Sequence, residues 1–319
     1  MTPRLRPFSR PLVARAPAKV NLGLRVLGRR PDGYHQIRTV LASVALYDTL
    51  RFEPGDREHE VECAARDVPA DGTNLVLRAV AAFEDLAGAR LPAVRVRLTK
   101  RIPPGRGLGG GSSDAAVTLL ALNRLFGCGQ PRPALHRAAA RIGMDIPFFL
   151  YGGEALATGR GDRLFPFPDG PPLAVVLLLP TFSVPTADAY RKLPRSLRRR
   201  SARSVPPGTM RRSPGAPVEG MLDNDLERSG VFQASRTGDA RPGDSIARMR
   251  RALSTAGALG AAMSGSGSAT YGIFPDETAA ARAARALAGP EWTAHPTRLL
   301  SRAEHQTVVR GRRLEAAAW

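Results

Sequence analysis

The sequence predicts an α+β fold in two domains. Stretches with strand-like alternation and stretches with helical spacing are interleaved, without the regular β-α succession of a doubly wound sheet. The chain has 319 residues, beyond the roughly 100–200 of a usual single domain. A break rich in Pro, Asp and Gly at residues 166–172 divides it, giving an expected first domain of residues 1–167 and a second of 168–319.

The elements follow in order. Residues 16–27 are apolar and alternating enough for a strand, and residues 40–52 repeat the pattern through Val44, Leu46 and Leu50. Residues 74–86 carry helical spacing at Leu75, Ala79, Ala82 and Phe83. Residues 94–98 alternate Val with Arg in a short strand. A Gly-rich loop, 103–113, then runs into an apolar helix, 114–126, and a second helix covers 133–142. Residues 147–150 open a strand or turn beside Gly152 and Gly153. After the break, residues 173–179 read as a buried strand. A basic loop follows, then a helix near 245–255, a Gly/Ser loop at 263–268, a strand at 269–274 and an Ala-rich helix at 277–287.

Composition excludes several function classes. No apolar run reaches the ~18–20 residues of a membrane span. Residues 1–15 are Arg-rich and lack the apolar centre of a secretory signal, so a cytoplasmic location is expected. Two cysteines, Cys63 and Cys128, are too few for a disulfide framework, and five histidines form no ligand cluster. The net charge of +19 fits nucleic-acid or membrane-surface binding, a substrate carrying several phosphates, or an Arg-rich composition without function. Much of it lies in residues 191–212, which are rich in Ser, Pro and Gly and lack aromatic residues for base stacking, Tyr190 at the edge apart. A solvated loop is expected there, with no specific nucleic-acid or membrane partner.

The most informative stretch is Pro103-Pro104-Gly105-Arg106-Gly107-Leu108-Gly109-Gly110-Gly111-Ser112-Ser113. Glycines let backbone approach a ligand closely. The serines and Asp114 suit a helix start, and a helix N-terminus attracts phosphate. The loop reads as a cradle for a triphosphate rather than a plain capping turn. It is not the P-loop, since no Lys follows its last glycine, and it lacks the β-α-β setting of a dinucleotide fingerprint.

Further motifs accompany it: Ala16-Pro-Ala-Lys-Val-Asn-Leu-Gly-Leu24, Arg30-Pro-Asp-Gly-Tyr-His35, Gly143-Met-Asp-Ile-Pro-Phe-Phe-Leu150, Ala157-Thr-Gly-Arg-Gly161, Asn224-Asp-Leu-Glu227 and Met263-Ser-Gly-Ser-Gly267. On these residues, spread over nearly the whole chain, the sequence resembles the GHMP superfamily of small-molecule kinases (galactokinase, homoserine kinase, mevalonate kinase, phosphomevalonate kinase). Within it, the Lys-Val-Asn-Leu, Asp-Gly-Tyr-His and Asp-Ile-Pro-Phe-Phe segments are similar to the branch that phosphorylates 4-diphosphocytidyl-2-C-methyl-D-erythritol. The resemblance implies two α+β domains with the active site in the cleft between them. It also implies transfer of the ATP γ-phosphate to the 2-hydroxyl of that nucleotide-linked polyol, in the non-mevalonate route to isoprenoid precursors.

The resemblance also implies roles. Asp145 would be the catalytic base and Lys19 the catalytic lysine. Read alone, an Asp close before Pro147 suits a turn, and a Lys in an apolar strand would snorkel to the surface. Asn21, on the same strand face as Lys19, would bond the polyol. His35 would read the cytosine edge, with Tyr34 near the base and Tyr190 on its other side. Asn74 and Lys100 would lie near the adenine and the loop, and Ser112 and Ser113 would contact phosphate or Mg²⁺. Mg²⁺ follows from the chemistry of ATP, its protein ligands unassigned. Arg106 departs from the small residues of relatives, residues 191–220 look longer and more basic, and residues 314–319 carry no role. Two other readings stand beside this one: another GHMP kinase, against which the Tyr34-His35 pair argues, and a non-enzymatic RNA-associated protein, against which Lys19 and Asp145 argue.

Overall fold

Two apolar, alternating stretches rich in Val, Leu and Thr build a long antiparallel hairpin, β1 (Leu12–Arg29) against β2 (His35–Pro54). The structure is a computed structural model and describes residues 5, 7–193, 222–228 and 242–314. At 20 residues, β2 is long enough to hold two further partners on its other edge. Its C-terminal half pairs with β4 (Val94–Thr99), which carries β3 (Glu60–Cys63) in parallel. Its N-terminal half pairs with β5 (Glu154–Gly159), which carries β6 (Arg163–Pro166).

Helices α1 (Leu75–Ala87), α2 (Gly110–Leu125), α3 (Arg132–Ile142) and α4 (Ile146–Tyr151) share a core with this sheet. Leu12, Leu50 and Phe52 of the strands meet Phe83, Leu119 and Phe148 of the helices there. Asn74 caps α1 by accepting from Val76 N at 2.9 Å, and Gly88 ends it in the left-handed region. Residues 147–150, expected as a strand or turn, are helical. Pro147 falls in the first turn, where its missing N–H costs nothing, and Gly152 at φ +68° stops the helix.

The second sheet has the order β10-β7-β9-β8 and is antiparallel throughout: β7 (Ala174–Pro180), β8 (Gly260–Met263), β9 (Thr270–Phe274) and β10 (Trp292–Arg298). The continuous apolar run of β7 is buried on both faces. Val175, Leu177 and Leu179 point to the core between the two sheets, and Ala174, Val176 and Leu178 to the core under the helices. The helices of this half are α5 (Thr186–Arg191), α6 (Asp225–Arg228), α7 (Pro242–Thr255) and α8 (Glu277–Leu287).

The chain then turns back. Helix α9 (Arg302–Arg310), opened by a Ser301–Glu304 capping box, packs on the first sheet, and β11 (Arg312–Arg313) pairs with the start of β1. The α+β reading of the sequence thus holds, with the crossover between sheets lying between Pro166 and Ala174. Most of the basic segment 191–220 lies outside the described residues, as do residues 315–319. Among the described residues no helix is long and apolar enough to cross a membrane.

Candidate active site

Lys19 and Asn21 lie two residues apart on β1, so both side chains leave the same face. Ala18, Val20 and Leu22 point the other way, into the inter-sheet core. The Lys19 ammonium is buried, which pulls its pKa below the ordinary lysine value, while the Asp145 carboxylate works against that shift. It donates to Asn21 Oδ1 at 2.5 Å and to the Gly107 carbonyl at 2.8 Å, and lies 3.7 Å from Asp145 Oδ2. The Asn21 amide is held in that orientation because its Nδ2 donates to Thr39 Oγ1 (2.9 Å), whose own hydroxyl donates to the Gly23 carbonyl (2.6 Å). Asp145 immediately precedes α4, and 42% of its side-chain surface is open.

The glycine loop enters α2 at Gly110. The first N–H groups of a helix lack intrahelical partners, and Gly109, Gly110, Gly111 and Ser112 line the cavity. Gly109 needs to be glycine twice over: its φ is +70°, and a Cβ there would stand 2.8 Å from Phe149 Cζ and 3.1 Å from Lys19 Cγ. The loop is fastened to the second half of the chain. Ser264 Oγ donates to the Gly107 carbonyl (2.9 Å), Ala269 N to the Arg106 carbonyl (3.1 Å) and Val184 N to the Gly105 carbonyl (3.2 Å). Arg106, the departure noted above, lines the cavity and donates from Nη2 to the Thr181 carbonyl at 2.6 Å.

A second glycine loop closes on Lys19 from the other side. At Gly265 a Cβ would lie 2.9 Å from Asn21 Oδ1 and 3.2 Å from Lys19 Nζ. Asn224 shapes this loop by donating to the Met263 (3.0 Å) and Gly265 (2.8 Å) carbonyls, and Ser266 bonds Thr186 at 2.9 Å.

The cavity between the halves measures about 820 Å³, within the range of ligand sites. It joins the glycine loop, Lys19 and Asp145 to an aromatic end. There His35 and Tyr190 are stacked, with ring centroids 5.2 Å apart and planes at 28°. Burial, with Asp145 adding to it, pushes the Tyr190 hydroxyl pKa up, so its proton stays in place. Tyr34 also lines the cavity but is half exposed, and the Arg160 guanidinium sits 5.3 Å from its ring centroid.

Three expected residues do not line the cavity. Asn74 is occupied by its capping bond and by donation to the Pro69 carbonyl. Lys100 lies beneath the loop, bonded to Asp48 (2.5 Å) and Asp114 (2.8 Å); burial opposes its charge, but the two carboxylates raise its pKa overall. Burial pushes the Asp114 carboxyl up to about 7, against the pull of Lys100. Ser113 is fully buried. Conversely, Thr39, Thr186 and Arg29 take part in the site or line it without having been singled out, and Arg160 of the Ala157–Gly161 motif, given no role there, lines it too. A buried Thr in the apolar run of β2 was the available signal for the first.

Two family models match, "GHMP kinases N terminal domain" over residues 74–153 and "GHMP kinases C terminal" over residues 219–290. Fold and cavity together thus define a GHMP-type small-molecule kinase. Among relatives, a 4-diphosphocytidyl-2-C-methyl-D-erythritol kinase of Solibacter usitatus is 40% identical over 314 residues, covering 93% of this chain and 91% of that protein. One of the same name from Pelotomaculum thermopropionicum is 40% identical, covering 86% and 93%. A crystal structure of 4-(cytidine 5'-diphospho)-2C-methyl-D-erythritol kinase superposes with a TM-score of 0.74 at 35% identity, over 90% of this chain and 99% of that one. The mevalonate kinase of L. major shares the fold, with a TM-score of 0.65 at 14% identity. The chain belongs to the 4-diphosphocytidyl-2-C-methyl-D-erythritol kinase family.

Proposed function

We propose that this protein transfers the γ-phosphate of ATP to the 2-hydroxyl of 4-diphosphocytidyl-2-C-methyl-D-erythritol, a step in making isoprenoid precursors. The observation that carries the reading is one cavity lined by the glycine loop at the start of α2, by the His35–Tyr190 stack and by the Lys19–Asp145 pair, 3.7 Å apart.

Phosphoryl transfer asks for alignment, charge neutralisation and a proton acceptor. Residues Gly105–Ser112 would hold the triphosphate through backbone N–H groups at the start of α2. Asp145, with an open carboxylate, would take the hydroxyl proton as the oxygen attacks. The Lys19 ammonium is fixed by the Asn21 and Gly107 oxygens, so it needs little reorganisation to stabilise charge on the attacking oxygen. The stacked His35 and Tyr190 rings would offer an aromatic surface to the cytosine, a planar ring that suits one.

Mg²⁺ tends to keep several waters and to bind through phosphates with one or two protein oxygens. The site fits that habit. Ser112 lines the cavity on the first turn of α2, beside the glycine loop. Ser112 would therefore supply the protein oxygen, and the bound ion would neutralise phosphate charge. The test is a coupled ATPase assay over a panel of acceptors. Turnover confined to the cytidyl-linked methylerythritol is expected; comparable turnover of mevalonate or homoserine overturns the reading.

A further inference from the structure

Helix α4, which opens directly after Asp145, has six residues. A helix this short does not hold itself, and its last carbonyls need partners from outside. They find them on α9. His305 Nε2 meets the Phe149 carbonyl at 2.8 Å, and Gln306 Nε2 donates to the Leu150 (3.1 Å) and Tyr151 (2.6 Å) carbonyls. Arg132 also reaches the Leu150 carbonyl. A carbonyl only accepts, so His305 Nε2 carries the proton and Nδ1 accepts from the Ser43 hydroxyl at 2.9 Å. Ser43 is the cross-strand partner of Lys19 in the β1–β2 ladder.

We infer that His305, outside the cavity, is a positioning residue that sets the separation of Lys19 and Asp145. The inference rests on the reading of that pair as the reacting centre. The fully buried imidazole is a strut with one end on the residue opposite Lys19 and the other on the helix that begins after Asp145. Gly152 gives an independent sign that the ring has a reserved place. Its φ is +68°, and a Cβ there would fall on the imidazole. Burial, together with Arg132 and Arg302, lowers the His305 pKa to about 4, opposed by the Phe149 carbonyl. The ring is therefore neutral near pH 7, and its two bonds keep one polarity.

The test uses two variants, His305→Gln, which keeps a donor but loses the double reach, and Ser43→Ala, which removes a single atom. Each is crystallised and assayed at saturating ATP and acceptor, well below its own melting temperature. The Lys19 Nζ to Asp145 Oδ2 separation is expected to grow past the ion-pair range. The kcat is expected to fall about tenfold, and up to ~10²-fold for a displacement near 1 Å, while both KM values hold. A purely structural role would lower the melting temperature and leave kcat alone. Either a retained pair or a kcat within about twofold of the parent overturns the inference. If His305→Gln fails to fold, Ser43→Ala decides. If the parent protein does not turn over the acceptor, the functional reading falls, while the measured separation still decides this one.

Discussion

A buried ammonium is tolerable only where its N–H groups meet acceptors. Lys19 meets that condition with Asn21, Gly107 and the nearby Asp145 carboxylate. Asp145→Asn keeps the shape and removes the proposed proton acceptor. The kcat should fall by roughly 10²–10⁴, with ATP binding by calorimetry unchanged; near-normal kcat in the folded variant removes the base from the mechanism. His305 supplies a pH dependence. Its pKa is about 4 when folded against an ordinary 6.5, so between those values the unfolded chain binds the extra proton. Its contribution to stability is complete above about pH 6.5 and is lost as pH falls towards 4, at up to ~1.4 kcal/mol per pH unit. Asp114, raised to about 7, runs the other way, losing its contribution as pH rises from about 4 to 7. Comparing urea midpoints of parent and His305→Gln between pH 4 and 7 isolates the histidine; parallel curves would refute it. Motifs made Lys19, Asn21 and Asp145 legible in the sequence. They did not show that Asn74, Lys100 and Ser113 are absent from the cavity lining, because the bonds of Asn74 to Pro69 and Val76 and of Lys100 to Asp48 and Asp114 depend on the fold. Ser43 and His305, polar residues far apart in sequence, acquire meaning only through the contact between them.

At the level of elements, the glycine loop combines two different demands. Gly109→Val puts a branched side chain at φ +70° against Phe149 and Lys19, so it should lower the melting temperature as well as abolish ATP binding. Gly111 separates the two effects. It is exposed, lies within α2, and a Cβ there meets Leu75 Cδ1 at 3.4 Å, an ordinary contact. Gly111→Ala should keep or raise the melting temperature, since Ala favours a helix over Gly by about 1 kcal/mol. It should still weaken ATP binding if backbone approaches phosphate there; unchanged affinity by calorimetry moves the cradle elsewhere. The loop and the long helices were readable from glycine density and apolar spacing. The short elements β3, β5, β6 and α5 were not, since unlike β4 with its Val-Arg alternation they carry no clear periodicity over four to six residues.

For the whole molecule, the division at residue 167 that composition suggests does not describe α9 and β11, which rejoin the first sheet. We therefore expect a fragment of residues 1–167 not to fold alone, although it holds both Lys19 and Asp145. It lacks the helix that clamps α4 and leaves the inter-sheet face of Val20, Val40 and Val44 open to water. Amide proton NMR checks this: collapsed dispersion is expected, and a well-dispersed, cooperatively melting fragment refutes it. Nothing in residues 288–313 announces the return. Its helix is short and polar, and its strand has two residues whose partner lies at the other end of the chain. The return has a consequence for synthesis. Leu12 is made long before Arg313, which completes its ladder, and Asp145 long before His305, which braces the helix beside it. A nascent chain can collapse and form helices as it lengthens. The Lys19–Asp145 pair stays without its brace until α9 has been made, so the proposed centre matures long after the residues that form it.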